Sequence, residues 1–407
     1  MKTDPHEKGQ WAAFFATTLA VAWVLNVCWF CLFTFASGYL THELGCTNAG
    51  WTATTLWFLG GSLVSVFLCV ELSRSIGRRR TVGAALVFGA LGYGILYISA
   101  DLRVIRLAFA LMGFVPAVCM IVWISMVADF GGSRPGRAIA LYHLVNTLVA
   151  TLSLAVTGEL VERFSYMQLF GLTSISCGIG ALVFWMSSGR MRIENGKTIV
   201  SPFRLPKGAW QVLLSWPVAM LILAGLCVEP FLHLCVNQLF PVLGREVYTM
   251  SEQEIGRVVA WARLPSLLSL FVVAHFVDRM NAQRLFGAGM MFVGATVVAM
   301  GYCGNRGLLW GDYAGYYLGY GVIWAANLAA LNRVVPPAYR EIAFALGYLG
   351  VTLSVFGVGA VHTALLSAGW SLPALFVLCG GIGAAGGLVL IVSSAIVGIG
   401  KQVDNEH

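Results

Sequence analysis

The stretch Ser73–Arg80, SRSIGRRR, forms a short basic turn between two long apolar segments of the chain. A weaker copy of this turn, DRMNAQR at 278–284, places Asp278 at a position 204 residues after Arg74. Two aromatic pairs share this offset: Trp57 with Trp261, and Tyr166 with Trp370. Because one constant offset recurs at three separated points, the sequence predicts a chain built from two similar halves.

The composition of the chain indicates a membrane protein. Of its 407 residues, 58% are hydrophobic and only 11% are charged, with a mean hydropathy of +0.81. Soluble domains carry about 25% charged residues. The long apolar runs lack the alternation of barrel strands, which predicts an all-α protein whose crossings need about 20 residues each. Twelve spans are expected, centred near residues 25, 61, 90, 116, 150, 176, 227, 266, 294, 322, 354 and 384.

A polar segment near the middle of the chain predicts the domain organisation. Residues 188–211 are basic and are expected to form a cytoplasmic linker between a six-helix half at 1–187 and a second at 212–407. Lys and Arg concentrate in loops on the side of this linker, which by the positive-inside rule places both termini in the cytoplasm. The net charge of +7 is therefore attributed to topology and not to nucleic-acid binding. We expect a multi-pass protein of the plasma membrane, specifically a bacterial inner membrane.

The ten cysteines are expected to be packing residues, because most of them fall inside apolar spans. Cys46 and Cys303 approach the outer surface, but their spacing demands no disulfide. One alternative is a metal cluster of Glu229, His233, Cys235 and His362. It is disfavoured because Cys235 lies only two residues beyond His233 and points elsewhere on a helix. We therefore expect neither a metal nor any other cofactor.

Motifs for catalysis are lacking in the sequence. Glycines at 381–386 match the spacing of a dinucleotide fingerprint, but they lie inside an apolar span and not between a strand and a helix. No P-loop, HExxH helix or nucleophile–base pair is readable. The protein is therefore not expected to be an enzyme.

The twelve spans in two halves, the basic linker and the turn Gly77–Arg80 together resemble the major facilitator superfamily. This resemblance implies transport by alternating access, as duplicated membrane folds often perform it. It also implies that certain loop residues help to hold the halves in one of their states: Gly77, Arg78, Arg79, Arg80, Asp278 and Arg279. Arg74 stands where the family usually has an acid. The family's antiporter pattern, Gly-x-x-x-Gly-Pro, is missing between Leu144 and Glu159, which favours uptake over drug efflux.

Span seven carries the candidate proton-coupling residues Glu229, His233 and Asn237, which follow one another at intervals of four and share a helix face. An ionised carboxylate at the centre of a span costs about 2.5–3.5 kcal/mol on insertion scales, so such a group usually faces a cavity or a partner. Glu229 is predicted to accept the coupled proton. The alternative is a fixed ion pair or a contact at a helix bend beside Pro230.

Arg263 in span eight is the second charge predicted to lie within the membrane. Its guanidinium can grip a carboxylate or phosphate with two hydrogen bonds, which favours a substrate-anion site. Two alternatives remain open. Arg263 is the counter-ion of Glu229, or it is a structural residue beside Pro265.

Span ten offers an aromatic and polar face made of Tyr313, Tyr316, Tyr320, Trp324 and Asn327. Such a wall suits an organic substrate with a ring, although it is equally a packing seam or, at Tyr313, an interfacial belt. Asn26 in span one is expected to face the same cavity, and a helix–helix hydrogen bond is an equal alternative.

Taken together, these residues predict a proton-coupled secondary transporter, a symporter that takes up a small organic anion. The alternative function is proton-driven efflux of lipophilic or cationic compounds. A non-transporting membrane sensor is disfavoured, because only short tails flank the outermost spans. The expected partners are a small-molecule substrate, protons and the lipid bilayer; the protein is expected to be a monomer and to bind no nucleic acid.

Overall fold

The computed structural model describes residues 5–131, 135–191, 228–269, 281–334 and 340–404, together with Gln211 and Ser215. Helices joined by short turns make up these ranges, and no β-strand occurs within them. In lipid the backbone must satisfy its own hydrogen bonds, which explains why these apolar segments fold as helices. The predicted all-α fold class is confirmed.

The described residues between 5 and 191 form eight α-helices, three of which are extended by π-helical turns. The α-helices are α1 (Pro5–Asn26), α2 (Leu32–Gly38), α3 (Asn48–Ser75), α4 (Arg78–Ile98), α5 (Leu102–Val118), α6 (Ile124–Phe130), α7 (Pro135–Arg163) and α8 (Tyr166–Ser188). The π-helical turns are Val27–Cys31, Tyr39–Glu43 and Cys119–Trp123.

The described residues of the second part begin with a π-helical segment, Val228–Leu234. The α-helices that follow are α9 (Cys235–Glu246), α10 (Glu252–Trp261), α11 (Ala282–Tyr302), α12 (Arg306–Val334), α13 (Arg340–Ser367) and α14 (Leu372–Asp404). Residues 264–269 are also helical.

Many of the described helices have the length and apolar composition of membrane spans. Within the described residues, nine helices are long and apolar enough to cross a bilayer, from Gly9–Glu43 to Leu372–Ser394. Large apolar side chains such as Leu152, Ile175 and Met186 are exposed on these helices, as expected where the solvent is lipid. The predicted spans near residues 227, 266 and 322 adjoin or include residues outside the described ranges, so the count of twelve stays a prediction.

The predicted internal repeat is visible in the helix bounds. Helices α4 and α11 start at residues 78 and 282 and end at 98 and 302, so both bounds differ by 204. Helices α5 and α12 start at residues 102 and 306, with the same difference. The N-terminal caps repeat as well: Thr47 Oγ1 accepts from Gly50 N, and Ser251 Oγ accepts from Glu254 N. The chain is therefore built from two similar halves.

The chain divides into two compact units. The first unit comprises Met1–Ile199 and Met250–Ala260, and the second comprises Val200–Thr249 and Trp261–His407. Most of the predicted linker, 192–210, lies outside the described residues, so its role and the predicted domain limits stay predictions.

The segment Met250–Ala260 belongs to the first unit because α10 packs on α7. Gln253 Nε2 donates to Glu159 Oε2 at 2.6 Å, and Arg257 Nη2 donates to Glu159 Oε1 at 2.7 Å. A Cβ atom added to Gly256 would lie 2.7 Å from the Cα atom of Gly158. Two glycines thus allow the backbones of these helices to touch.

Glycine also decides the crossing of α3 and α5. A Cβ atom at Gly113 would lie 2.0 Å from the carbonyl oxygen of Phe58, and one at Gly61 would lie 2.0 Å from that of Ala110. The backbones can approach this closely only because neither glycine carries a side chain. The glycines at 381–386, which match the dinucleotide spacing, lie within α14, where the strand that such a site requires is absent.

Candidate functional site

The basic turn of the first unit begins at a glycine whose backbone few other residues adopt. Gly77 has a φ angle of 90° and precedes the first residue of α4. This geometry turns the chain so that the next two arginines reach different helix ends. Arg78 forms an ion pair with Asp129 at the end of α6, with side-chain exposures of 19% and 23%. Asp129 was not singled out from the sequence, because its partner is 51 residues away along the chain.

Arg79 ties α4 to the end of α8. Its Nε donates to Ser188 Oγ at 2.7 Å, its Nη2 donates to the carbonyl oxygen of Trp185, and its guanidinium lies 5.7 Å from the centre of the Trp185 ring. The Arg80 side chain is exposed. Asp278 and Arg279 of the second copy lie outside the described residues. Their predicted role in the transport cycle therefore stays a prediction.

A π-helical segment carries Glu229 and His233 of span seven, and Asn237 follows in α9. Val228–Leu234 widens the helix around Pro230, whose missing N–H removes one helical hydrogen bond. Asn237 Nδ2 donates to the backbone oxygen of His233 at 2.8 Å. Glu229 belongs to this segment, and its side chain lies outside the described part of the structure.

His233 contacts two of the tyrosines predicted on span ten. Its Nδ1 atom lies 2.6 Å from Tyr316 Oη, and its ring stacks on Tyr320 with centres 4.4 Å apart and planes inclined by 5°. Tyr316 and Tyr320 stack on each other with ring centres 5.6 Å apart. His233 and Tyr316 are buried. The structure therefore joins one predicted proton-coupling residue to two predicted substrate residues.

Arg263 lies beside the same cluster of side chains. Its guanidinium carbon is 4.7 Å from the centre of the Tyr317 ring, and Tyr317 Oη donates to Asn237 Oδ1 at 3.4 Å. The arginine is only 5% exposed. The sequence analysis missed Tyr317, although it lies four residues after Tyr313 and three before Tyr320.

The position of Arg263 follows from a break in span eight. Helix α10 ends at Trp261, Ala262 and Arg263 form a turn, and the helical backbone resumes at 264. Pro265 explains the break, because it has no N–H for the carbonyl of Trp261 and its ring clashes with a continuous helix. Ser266 N and Ser266 Oγ both donate to the Arg263 carbonyl, at 3.0 and 2.6 Å.

The remaining predicted substrate residues lie elsewhere or outside the described side chains. Asn26 belongs to the first unit, where its Nδ2 donates to Asn146 Oδ1 at 2.9 Å and to Ala22 O at 2.6 Å. The structure therefore shows the helix–helix hydrogen bond that was one of its two alternatives. Trp324 and Asn327 belong to α12, and their side chains lie outside the described part. Tyr313 is buried and stacks on Phe240 with ring centres 3.8 Å apart, which is core packing and not an interfacial belt.

Two cysteines and a histidine converge in the second unit. The possible ligand atoms of Cys235, His362 and Cys379 all lie within 4.8 Å of one another, and all three residues are buried. His362 Nδ1 is 3.2 Å from Gln238 Oε1. The cluster considered from the sequence contained Cys235 and His362 but missed Cys379, which is more than a hundred residues from Cys235 along the chain. His233 lies with Tyr316 and Tyr320.

Comparisons with known proteins agree with this architecture. The family model of the Major Facilitator Superfamily matches residues 18–317. No curated protein matches the chain. Among solved structures, an auto-inhibited POT family peptide transporter is 13% identical, with a TM-score of 0.73 over 94% of this chain and 97% of that one.

Two further solved structures share the fold. A POT peptide transporter in complex with alafosfalin is 14% identical, with a TM-score of 0.74 over 96% of this chain and 95% of that one. The nucleoside transporter NupG is 10% identical, with a TM-score of 0.74 over 93% of this chain and 99% of that one. The chain, a multi-pass membrane protein with this fold, belongs to the Major Facilitator Superfamily.

Proposed function

We propose that this protein is a proton-coupled secondary transporter that takes up a small organic anion by alternating access. The observation that carries the proposal is the buried Arg263, which lies against Tyr317 close to Asn237 and His233. A charge inside a membrane protein is expensive, and such charges usually serve a substrate or ion pathway.

The chemistry around Arg263 supports an anionic cargo. A guanidinium presents five N–H donors and binds a carboxylate or phosphate through two parallel hydrogen bonds. The face of Tyr317 stabilises the cation through a cation–π contact. The tyrosine rings of α12 offer apolar surface for the organic part of the substrate.

We assign the coupled proton to Glu229 and include His233 and Tyr316 in the same proposed proton pathway. An imidazole and a phenol in hydrogen-bond contact can exchange proton donor and acceptor roles, and the 2.6 Å separation of His233 Nδ1 and Tyr316 Oη meets this need. Asn237 completes the proposed group, because it contacts both the His233 backbone and Tyr317.

A binding experiment tests the anion site. Purified protein in detergent is screened by thermal shift against mono- and dicarboxylates, phosphate esters and neutral analogues. We expect an organic anion to raise the melting temperature of the wild type but not of Arg263→Ala, and Arg263→Lys to respond weakly because it loses the bidentate contact. Arg103→Ala is the matched control, since Arg103 is exposed at the start of α5. An undiminished shift in Arg263→Ala would remove the anion site from the proposal.

The stacked rings of His233, Tyr316 and Tyr320 favour one second function, the efflux of lipophilic or cationic compounds. Aromatic faces attract both apolar and cationic ligands. A deletion strain is compared with its parent on a panel of dyes and drugs. Sensitisation that the wild-type gene reverses and a Tyr320→Ala gene does not would favour efflux over uptake.

We propose with this function that the protein is a monomer in the bacterial inner membrane and that both of its termini lie in the cytoplasm. The basic residues near the predicted linker support it through the positive-inside rule. Cysteines are introduced one at a time at Ser75 and Ser99 and are labelled in whole cells with a thiol reagent that does not cross membranes. Labelling at each position is read by peptide mass spectrometry, because native Cys46 and Cys303 are also predicted to lie near the outer surface. Labelling at Ser99→Cys and protection at Ser75→Cys are expected, and the reverse pattern would invert the topology.

A further inference from the structure

Three helices of the second unit bring metal-ligating side chains to one buried point. Cys235 is the first residue of α9, His362 lies in α13, and Cys379 lies in α14. Their ligand atoms lie within 4.8 Å of one another, and each residue is at most 1% exposed. The transport proposal uses none of these three residues.

A glutamine orients the histidine of this group. Gln238 Oε1 lies 3.2 Å from His362 Nδ1, and a carbonyl oxygen only accepts hydrogen bonds, so Nδ1 carries the hydrogen. His362 Nε2 therefore presents its lone pair, 3.3 Å from Cys379 Sγ. Histidines that bind metals usually donate their second ring N–H to an oxygen in this way. Gln238 is fully buried and lies one helical turn after Cys235, so α9 supplies both a ligand and the group that orients the next one.

We propose that Cys235, His362 and Cys379 bind one zinc ion that fastens α9, α13 and α14 together. Thiolate sulfur and imidazole nitrogen are the ligands that zinc prefers, at about 2.3 and 2.0–2.1 Å. Around a tetrahedral ion these bond lengths place a nitrogen and a sulfur about 3.6 Å apart and two sulfurs about 3.8 Å apart. His362 Nε2 and Cys379 Sγ lie 3.3 Å apart, and the ligand atoms of the group all lie within 4.8 Å, so zinc binding requires only small side-chain movements.

Charge supports zinc over a monovalent ion. Two thiolates and a neutral imidazole around a divalent cation give a site without net charge, which is the least costly arrangement in a low-dielectric interior. Binding replaces the two thiol protons, which are released to solvent. The three ligands are buried, so the ion is expected to enter as the helices assemble.

Metal analysis of the intact protein tests the site. The protein is expressed in zinc-supplemented medium and purified in detergent without chelators, and its metals are measured by mass spectrometry. We expect one zinc ion per chain in the wild type and in Cys119→Ser, which alters a buried cysteine of the first unit. Cys235→Ser and Cys379→Ser should lose at least nine-tenths of it. Gln238→Ala should weaken zinc binding about 10–100-fold, and Gln238→Glu should restore it.

The serine variants could lose zinc because they fail to fold. A second measurement therefore uses the wild-type protein alone. Zinc-loaded and chelator-treated protein are alkylated under mild unfolding, and the modified cysteines are mapped by peptide mass spectrometry. Zinc should slow the labelling of Cys235 and Cys379 at least tenfold and leave Cys119 unchanged. Protein without zinc, zinc retained in both serine variants, a different metal at this stoichiometry, or equal labelling with and without zinc would each overturn the proposal.

Discussion

At the scale of single residues, the groups around a side chain decide its reactivity more than its residue type does. Cys303 follows α11, and its Sγ donates to Asp312 Oδ2 at 2.9 Å. Burial and the adjacent carboxylate both disfavour the thiolate and raise the pKa of the Cys303 thiol to about 12. The sequence predicts that Cys303 lies near the outer surface, but it carries no sign of the neighbouring carboxylate that keeps this thiol protonated.

This pairing predicts the pH dependence of alkylation at Cys303. The thiolate is the reactive form, so a raised pKa keeps Cys303 protonated and slow to alkylate up to about pH 10. Asp312→Asn removes the negative charge, lowers the thiol pKa and is expected to increase the alkylation rate at pH 9 at least threefold. The rates are read by peptide mass spectrometry, with Cys46 as the internal reference. Identical rates at Cys303 in both proteins would refute the role of Asp312.

The hydrogen bond between Tyr316 and His233 predicts a selective loss of transport. Tyr316→Phe leaves His233 Nδ1 without this buried partner, at a cost of about 1–3 kcal/mol. Tyr93→Phe is the matched control, because it removes a buried hydrogen bond to Val27 O in the first unit. Both variants should melt at lower temperature, while only Tyr316→Phe should lose transport. Equal transport by the two variants would show that the contact is structural alone.

At the scale of elements, close helix crossings depend on glycines with no room for a side chain. Gly113→Ala would place a Cβ atom 2.0 Å from the carbonyl oxygen of Phe58, so α3 and α5 must separate. Overpacking of this kind costs about 1–3 kcal/mol. Gly178 in α8 has no atom within 4 Å of such a Cβ, so Gly178→Ala should instead stabilise the helix by about 0.5–1 kcal/mol.

Thermal unfolding in detergent measures both glycine variants against the wild type. A lower melting temperature for Gly113→Ala and an unchanged or higher one for Gly178→Ala are expected. If Gly113→Ala melted with the wild type, the α3–α5 crossing would be looser than the structure shows.

The helices and their repeat could be predicted from the sequence, whereas several side-chain partners could not. Apolar length and the constant offset predicted helices and their repetition, because both are local properties of the chain. The partners Asp129, Tyr317 and Cys379 were missed, because each is defined by contact with residues far away in sequence. Arg263 was identified since an arginine in an apolar span is visible without a structure, whereas the helix break that holds it depends on Pro265 and on local geometry.

At the scale of the whole molecule, family membership and the internal repeat agree with a transporter. Each unit contributes different chemistry: the first carries the basic turn fastened by Arg78 and Arg79, and the second carries Arg263 and the tyrosines. Both lie on one chain whose helix bounds repeat at an offset of 204 residues, as the starts of α4 and α11 at 78 and 282 show. A flux measurement tests proton coupling and anion uptake.

The most direct measurement is anion accumulation in proteoliposomes, driven only by an inward proton gradient and stopped by a protonophore. The anion is the one identified by thermal shift. Wild-type protein is predicted to concentrate it above the external level, Glu229→Gln to exchange it without concentrating it, and Arg263→Ala to do neither. Accumulation that persists without the proton gradient, or that Arg263→Ala performs as well as the wild type, would contradict the account.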